Sequence, residues 1–364
     1  MKARDGDLRK VRFSNIDPVK TEKTLNHFKR WRQERARKLK LKDYSFVVPN
    51  VKPDLTYLDH NHKEPSITWI GHSTFFIQHS GLNIVTDPVW SGQMAMNKRL
   101  APPGIPITDM PPVDIVLVSH SHYDHLSISS LRRLTGSKTL LVPAGLKAKL
   151  QMKGFFKVKE FHWWETATIR GVKFTFVPSQ HWTRRTPWDM NRSHWGGWVI
   201  EPVTPEGKKD ENPDFQLTDT PFTEVPHLDV PTDAPSADSL VERSGRPVVS
   251  ASPTIYFAGD SGYFQGFKEI GRRFPIDVAL MPIGAYDPEW FMGPQHVSPE
   301  QALQAFIDTG AGWFVPMHYG SFKLADDTPR EALDRLEKGR ETHKLEQERI
   351  VVLPHGETWR LSGK

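Results

Sequence analysis

VSHSHYDHLS, residues 118–127, decides the reading of this 364-residue chain. It sets His120, His122, Asp124 and His125 within six residues, directly after the apolar run Val113–Val118. Such a run predicts a buried strand. His120 and His122 are two apart, so on an extended chain they project to one side and their imidazoles can reach one cation. The chain then has to bend. Asp124 and His125 can face a second cation once the backbone turns into a helix over Leu126–Leu134, for which Ser127 is the N-cap. Borderline-soft dications such as Zn2+ accept imidazole nitrogen and carboxylate oxygen alike, so the spacing predicts two metals at a strand end.

The pattern H-S-H-Y-D-H matches the HxHxDH signature of the metallo-β-lactamase superfamily. The resemblance extends through WIGHSTFFIQ (69–78), LNIVTDPVW (82–90), PSQHWTRRTPWD (178–189), YFAGDSGYF (256–264), MPIGAYDPEWFM (281–292), QHVSPEQA (295–302) and MHYGSF (317–322). Those blocks are similar to the N-acyl-phosphatidylethanolamine-hydrolysing phospholipase D branch of that superfamily, over roughly residues 65–360 apart from one insertion. The resemblance implies an α/β chain folded as a four-layer αββα sandwich, with ligands on loops at one edge of both halves. Residue by residue it implies that His120, His122 and His181 hold one Zn2+, that Asp124, His125 and His318 hold another, and that Asp260 bridges them. Mn2+ or Fe2+ are alternative occupants. Catalytic roles then fall on Asp124, Asp260 and His296, the last either as a substrate-side acid, as an oxyanion donor or as a buried hydrogen-bonded histidine. The implied reaction is hydrolysis of N-acyl-phosphatidylethanolamine to N-acylethanolamine and phosphatidic acid. The alternative is a soluble metal-dependent lactonase or phosphodiesterase acting on a small phosphorylated metabolite, since the signature speaks for metal more than for substrate. A lipid-binding scaffold that kept only the fold is disfavoured by the complete ligand set.

Composition narrows the chemistry. The chain contains no cysteine, so disulfides, thiolate ligands and a cysteine nucleophile are excluded and any metal must be held by His and carboxylate. The start, MKARDGDLRKVRFSN, has no apolar core and carries Asp5 and Asp7, which argues against a signal peptide. No run approaches the 18 apolar residues of a membrane span, so a cytoplasmic protein is expected, with peripheral contact to the inner membrane face as an option. Charge is uneven. Residues 1–45 hold 15 Lys and Arg against 6 Asp and Glu, whereas the remainder holds 33 against 37, so the net +5 belongs to the start of the chain.

Residues 1–64 accordingly read as a basic arm and 65–364 as the catalytic domain. Within the arm, residues 19–43 predict a helix with Leu25, Phe28, Trp31, Ala36 and Leu39 on it and eight cations from Lys29 to Lys42. That segment suits an anionic membrane surface or a phosphate-rich ligand; equally, it suits a solvated helix packed on the domain by a few apolar residues. Nucleic acid is not expected, because no recognition motif accompanies the charge. The oligomeric state is left open, a homodimer included.

Further along, ITWI, TFFIQ and LNIVTDPVW read as strands, with His72 and Asp87 at strand ends; the resemblance implies that both lie near the metals, in a supporting or structural role rather than as ligands. Strands are also predicted over 139–142, 158–161, 172–177, 254–258, 278–282 and 313–316, and helices over 146–152, from Ser298 onward and through 326–348. Trp163 and Trp164 read as packing, and His355 as structural. Arg184, Arg185 and Arg192 follow His181 closely, which would serve an anionic substrate, or they are simple surface arginines. Residues 203–250 depart from the family pattern: up to Leu240 the span is Pro-rich and holds nine acidic residues against two Lys, which predicts an irregular excursion between two strands.

Overall fold

The computed structural model describes residues 12–19, 24–94, 97–203 and 252–361. The excursion expected over 203–250 lies beyond Val203 outside the described residues, as do most of residues 1–23.

Strands here are apolar on both faces, which obliges the molecule to cover both. In β1 (Ser66–Gly71) Ile67 and Trp69 enter one core while Ile70 enters another, and β2 (Thr74–His79) divides Phe75 and Ile77 from Phe76 in the same way. The division repeats in β3 (Leu82–Thr86). A short ribbon of β4 (Gln93–Met94) and β5 (Asn97–Lys98) intervenes before β6 (Ile115–Leu117), β7 (Thr139–Pro143) and β8 (Val158–Phe161). With β15 (Thr358–Arg360) these make a seven-stranded sheet ordered β15-β1-β2-β3-β6-β7-β8, in which β3, β6, β7 and β8 run parallel. The second sheet comprises β9 (Thr166–Ile169), β10 (Val172–Val177), β11 (Gly197–Pro202), β12 (Ile255–Phe257), β13 (Val278–Pro282) and β14 (Trp313–Met317), ordered β14-β13-β12-β11-β10-β9.

Between the sheets lies one core, in which Trp69, Phe75, Ile84, Leu117 and Leu141 meet Phe174, Phe176, Trp198 and Tyr256. Burying each of the larger side chains contributes about 1.5–3 kcal/mol. Outside the first sheet, α2 (Leu55–His60), α3 (Ile128–Arg133) and α4 (Lys147–Gln151) bring Leu58, Leu131 and Leu150 to a second core with Ile70, Phe76, Val116 and Val118. Outside the second sheet, α5 (Gly266–Arg273), α7 (Pro299–Thr309) and α8 (Pro329–Thr342) pack through Phe267, Ile270, Leu303, Phe306 and Leu336. The result is the expected four-layer αββα sandwich. Ser127 caps α3 by accepting from the Ser130 N–H, and Ser298 begins α7 with a capping box to Gln301, as their positions predicted. Strand β9 was not foreseen; its TATI has too few apolar residues to announce itself.

The arm lies on the body. Helix α1 (Leu25–Lys38) stacks Trp31 on Phe291 at 5.6 Å, beside α6 (Glu289–Met292), and sets Phe28 edge-on to the same ring. Cations of the arm meet carboxylates: Arg35 of α1 pairs with Asp326, and Lys42, beyond the helix, with Asp287 and Glu331 at 2.7 Å each. Aromatic packing and ion pairs together hold this segment against the body. Lys29, Arg32, Arg37 and Lys40 remain exposed.

Candidate metal centre

Strand direction explains why the ligand-type residues meet. Asp87 follows β3, and His120 to His125 follow β6; His181 follows β10, Asp260 follows β12 and His318 follows β14. These strands end at the same edge of the sandwich, the carboxyl edge where open α/β sheets place their sites. Gly259 makes the last step possible. It sits at φ 63°, and a Cβ there would lie 2.6 Å from that of Ser119, so only glycine lets the chain deliver Asp260.

All seven expected ligands converge, and all but Asp124 and His122 are almost wholly buried. His122 Nδ1 lies 2.9 Å from His120 Nε2 and 3.2 Å from His181 Nε2, the three nitrogens forming one group. His125 Nε2 and His318 Nε2 lie 3.5 and 3.6 Å from Asp124 Oδ2, forming another. Asp260 faces both: Oδ2 is 3.9 Å from His120, 3.8 Å from His181 and 3.2 Å from His125, while Oδ1 is 3.1 Å from His318. His296 stands behind, its Nδ1 3.8 Å from Asp260 Oδ2.

Outer hydrogen bonds choose which ring nitrogen looks inward. His125 Nδ1 donates to Asp87 Oδ2 at 2.6 Å, His120 Nδ1 to Ser119 Oγ at 2.9 Å, and His181 Nδ1 to the Gln295 carbonyl at 2.9 Å. Each Nε2 is thereby the ring nitrogen that faces the centre. Asp87 also binds Ser119 through both its N–H and its Oγ, so it supports two of the histidines and takes the supporting role foreseen for it. Arg185 does something else than foreseen. Its guanidinium is spent on the ligand loop, donating to the carbonyls of Ser121 and Leu126 at 2.7 and 2.9 Å and stacking on Tyr123, rather than waiting for an anion. Arg184 and Arg192 stay exposed.

One contribution was not legible in the chain. Asn15, in the arm, accepts at Oδ1 from the His181 N–H and from the Trp195 indole at 3.0 Å each, tying the arm to the site. Nothing in the sequence near Asn15 signals that contact. His72, by contrast, was expected near the metals, and it comes close, its Nε2 3.1 Å from Asp124 Oδ2.

Electrostatics fit a cation at this place. Burial, aided by neighbouring imidazoles, holds His120 and His181 well below the usual histidine range, and burial lowers His122 and His296 to about 4 each. His125 and His318 go the other way. Burial opposes their protonation, but Asp260 and Asp124 outweigh it, raising His125 well above its ordinary value and His318 to about 9. Burial likewise pushes Asp124 and Asp260 up, and the facing imidazoles prevail and leave both well below the carboxylate range. Protons on His125 and His318 stand where positive charge is wanted. His125 Nε2, His318 Nε2 and Asp260 Oδ1 are buried and face one another with no other hydrogen-bond partner among the described residues, an arrangement that a bound dication would satisfy. Neutral imidazoles and carboxylates are the donors such ions take, so the residues present fit a metal.

A cavity of about 710 Å³ opens on the His122 and Asp124 side of the cluster. Its walls include Met94, Leu126, Ile128, Trp182 and Pro187, with Arg184 beside them.

Comparison with known proteins agrees with this geometry. The family described as the β-lactamase superfamily domain matches residues 82–209 and 208–319. A Caenorhabditis elegans protein named N-acyl-phosphatidylethanolamine-hydrolyzing phospholipase D 1 is 27% identical over 350 residues, covering 89% of this chain and 83% of its own. A mitochondrial protein of the same activity name from Saccharomyces cerevisiae is 30% identical over 286 residues, 74% of this chain, and the chain spans only 51% of its length. Among solved structures, an isothiocyanate hydrolase from Delia radicum gut bacteria has the same fold, with a TM-score of 0.56 at 17% identity over 82% of this chain and 100% of the other. With its fold, its ligand-type cluster and this match in agreement, the chain belongs to the β-lactamase superfamily domain family and is a metal-dependent hydrolase.

Proposed function

We propose that the chain is a phospholipase D-type phosphodiesterase that cleaves N-acyl-phosphatidylethanolamine into N-acylethanolamine and phosphatidic acid. The observation that carries this reading is the 710 Å³ cavity: apolar walls that suit an acyl chain lead to His122 and Asp124, with the exposed guanidinium of Arg184 beside them to meet a phosphate. The names of the worm and yeast relatives support it.

In this reading His120, His122 and His181 would hold one Zn2+, Asp124, His125 and His318 the other, and Asp260 both. Such ions act as Lewis acids on phosphoryl oxygen and make water ionise near neutrality. The chain's own residues supply the rest. Apolar walls exclude bulk water from the acyl chain, and Arg184 offsets the charge of the phosphodiester. The carboxylate of Asp124 takes the proton of the attacking water. The water oxygen becomes bonded to phosphorus, the bond from phosphorus to the ethanolamine oxygen breaks, and that oxygen leaves with the proton that the water gave up to Asp124. Burial keeps His296 neutral, which favours a hydrogen-bond donor to the phosphoryl group over a full acid.

Residues 65–364 form the catalytic unit, and the exposed cations of α1 meet an anionic membrane surface. Sedimentation with anionic vesicles should therefore fall as salt rises, screening being felt over about 10 Å at 0.1 M. The function itself is tested by offering Zn2+-loaded protein N-acyl-phosphatidylethanolamine, a lactone and a cyclic nucleotide side by side. Turnover of the lipid is expected. Brisk turnover of a soluble substrate with none of the lipid would replace this reading with that of a soluble lactonase or phosphodiesterase.

A further inference from the structure

His72 was expected to support the centre from behind, and its geometry says more. We infer that His72 is a ligand of the second metal position, so that the two positions are unequal: His120, His122, His181 and Asp260 around one, and His72, Asp124, His125, His318 and Asp260 around the other. This rests on the two-position reading above.

Spacing is the first ground. His72 Nε2 is 3.1 Å from Asp124 Oδ2, inside the 3.5 and 3.6 Å that separate the same oxygen from His125 and His318, and these four ligand atoms all lie within 4.8 Å of one another. Donors each about 2.1 Å from one ion sit roughly 3.0–3.4 Å apart. The His72 ring also lies 4.1 Å from the His318 ring and 5.3 Å from that of His125, within the cluster rather than behind it.

Local backbone is the second ground. The β1–β2 pairing shifts register between Trp69 and Gly71, which re-aims the side chains that follow. Gly71 takes φ 126° and His72 φ 57°, the left-handed region that a histidine adopts only at some cost. The His72 carbonyl is then pinned by the Trp69 indole at 2.9 Å and by the His318 N–H at 3.1 Å. His318, at φ 61°, is held the same unusual way. Two strained histidines, one bonded to the other's backbone, turn their Nε2 atoms to one point.

The consequence is a difference in metal preference. Three nitrogens and one oxygen suit four-coordinate Zn2+, whereas three nitrogens and two oxygens approach the higher coordination favoured by Mn2+ or Fe2+.

Metal-free protein is titrated with Co2+, whose visible bands are intense in four-coordinate sites and weak in five- or six-coordinate ones, in the wild type, His72→Gln and His72→Ala. The wild type should take two equivalents, one intense and one weak. In the variants the weak bands should intensify and the affinity of that position should fall about tenfold or more. Because a substitution at this strained turn could impair folding, the di-cobalt wild type is also read by proton NMR: six shifted imidazole N–H resonances support the inference, and five overturn it. Unchanged bands and affinity in a folded variant overturn it too. Fewer than two equivalents in the wild type would sink the two-position reading itself.

Discussion

The two halves of the cluster are built differently. Around His120, His122 and His181 the rings are oriented from outside, by Ser119 and by the Gln295 carbonyl, and two of the three come from one short motif. Around Asp124, His125 and His318 only His125 has such a partner, Asp87; Asp124 and His125 come from that same motif, and His318 arrives from far along the chain on a backbone in the left-handed region. The first half is ordered by hydrogen bonds. The second is ordered by backbone conformation and charge, with Asp124 and Asp260 against His125 and His318.

Asp260 is the part they share, and its loss should be the most damaging. Chelation should abolish hydrolysis and Zn2+ should restore it; Asp260→Ala should lower turnover by about 10³-fold or more, with loss of roughly one metal equivalent. Metal analysis of the purified variant checks this. Two equivalents retained would mean that the halves do not depend on this carboxylate.

Asp87 separates the halves more finely. Asp87→Ala removes the acceptor of His125 Nδ1 and frees Ser119, so metal affinity should fall about 10–100-fold, mostly at the second position. Ser119→Ala should cost less and act on the first. Competition with a chelator of known affinity resolves both, and equal losses at the two positions would erase the contrast.

Arg185 holds the loop from which both halves draw. Its replacement by Met keeps bulk but leaves the Ser121 and Leu126 carbonyls without their donor, and should cost about 1–3 kcal/mol of stability. Thermal unfolding of the metal-free protein checks this; an unchanged midpoint would show that the loop stands without it.

The metal-free protein should also respond to pH in opposite directions through the two halves. His122 is lowered to about 4, against roughly 6.5 unfolded. Between those values the unfolded chain binds the extra proton, so stability falls on acidification. His318 is raised to about 9, so its contribution is complete below 6.5 and is lost as pH rises through 9. Unfolding midpoints across pH 4–10 should peak near neutrality. His122→Gln should flatten the acid limb and His318→Gln the alkaline one, whereas a variant that flattened the opposite limb would reverse the assignment of charge.

The same contrast governs what could be read from the chain. The first half was legible because His120 and His122 share one strand end, where a two-residue period fixes their direction. Asp260 and His318 became legible only through resemblance, since a lone Asp after YFAG or a lone His after FVPM has many structural uses. His72 was placed near the metals but not among them, because its direction depends on a register shift and a positive φ that no pattern of residue types displays. The layered fold was legible from apolar strands alternating with helix signals, and β9 escaped for want of them. Asn15 was hidden, and Arg185 was read for a different role, for another reason: most of their partners are backbone atoms distant in the sequence, and backbone carries no sequence signature.

The most direct test follows the oxygen. Hydrolysis of N-acyl-phosphatidylethanolamine in heavy-oxygen water, with both products read by mass spectrometry, should place the label in phosphatidic acid and none in the N-acylethanolamine, because the water oxygen attaches to phosphorus. Label in the N-acylethanolamine, or in a released fatty acid, would contradict attack at phosphorus.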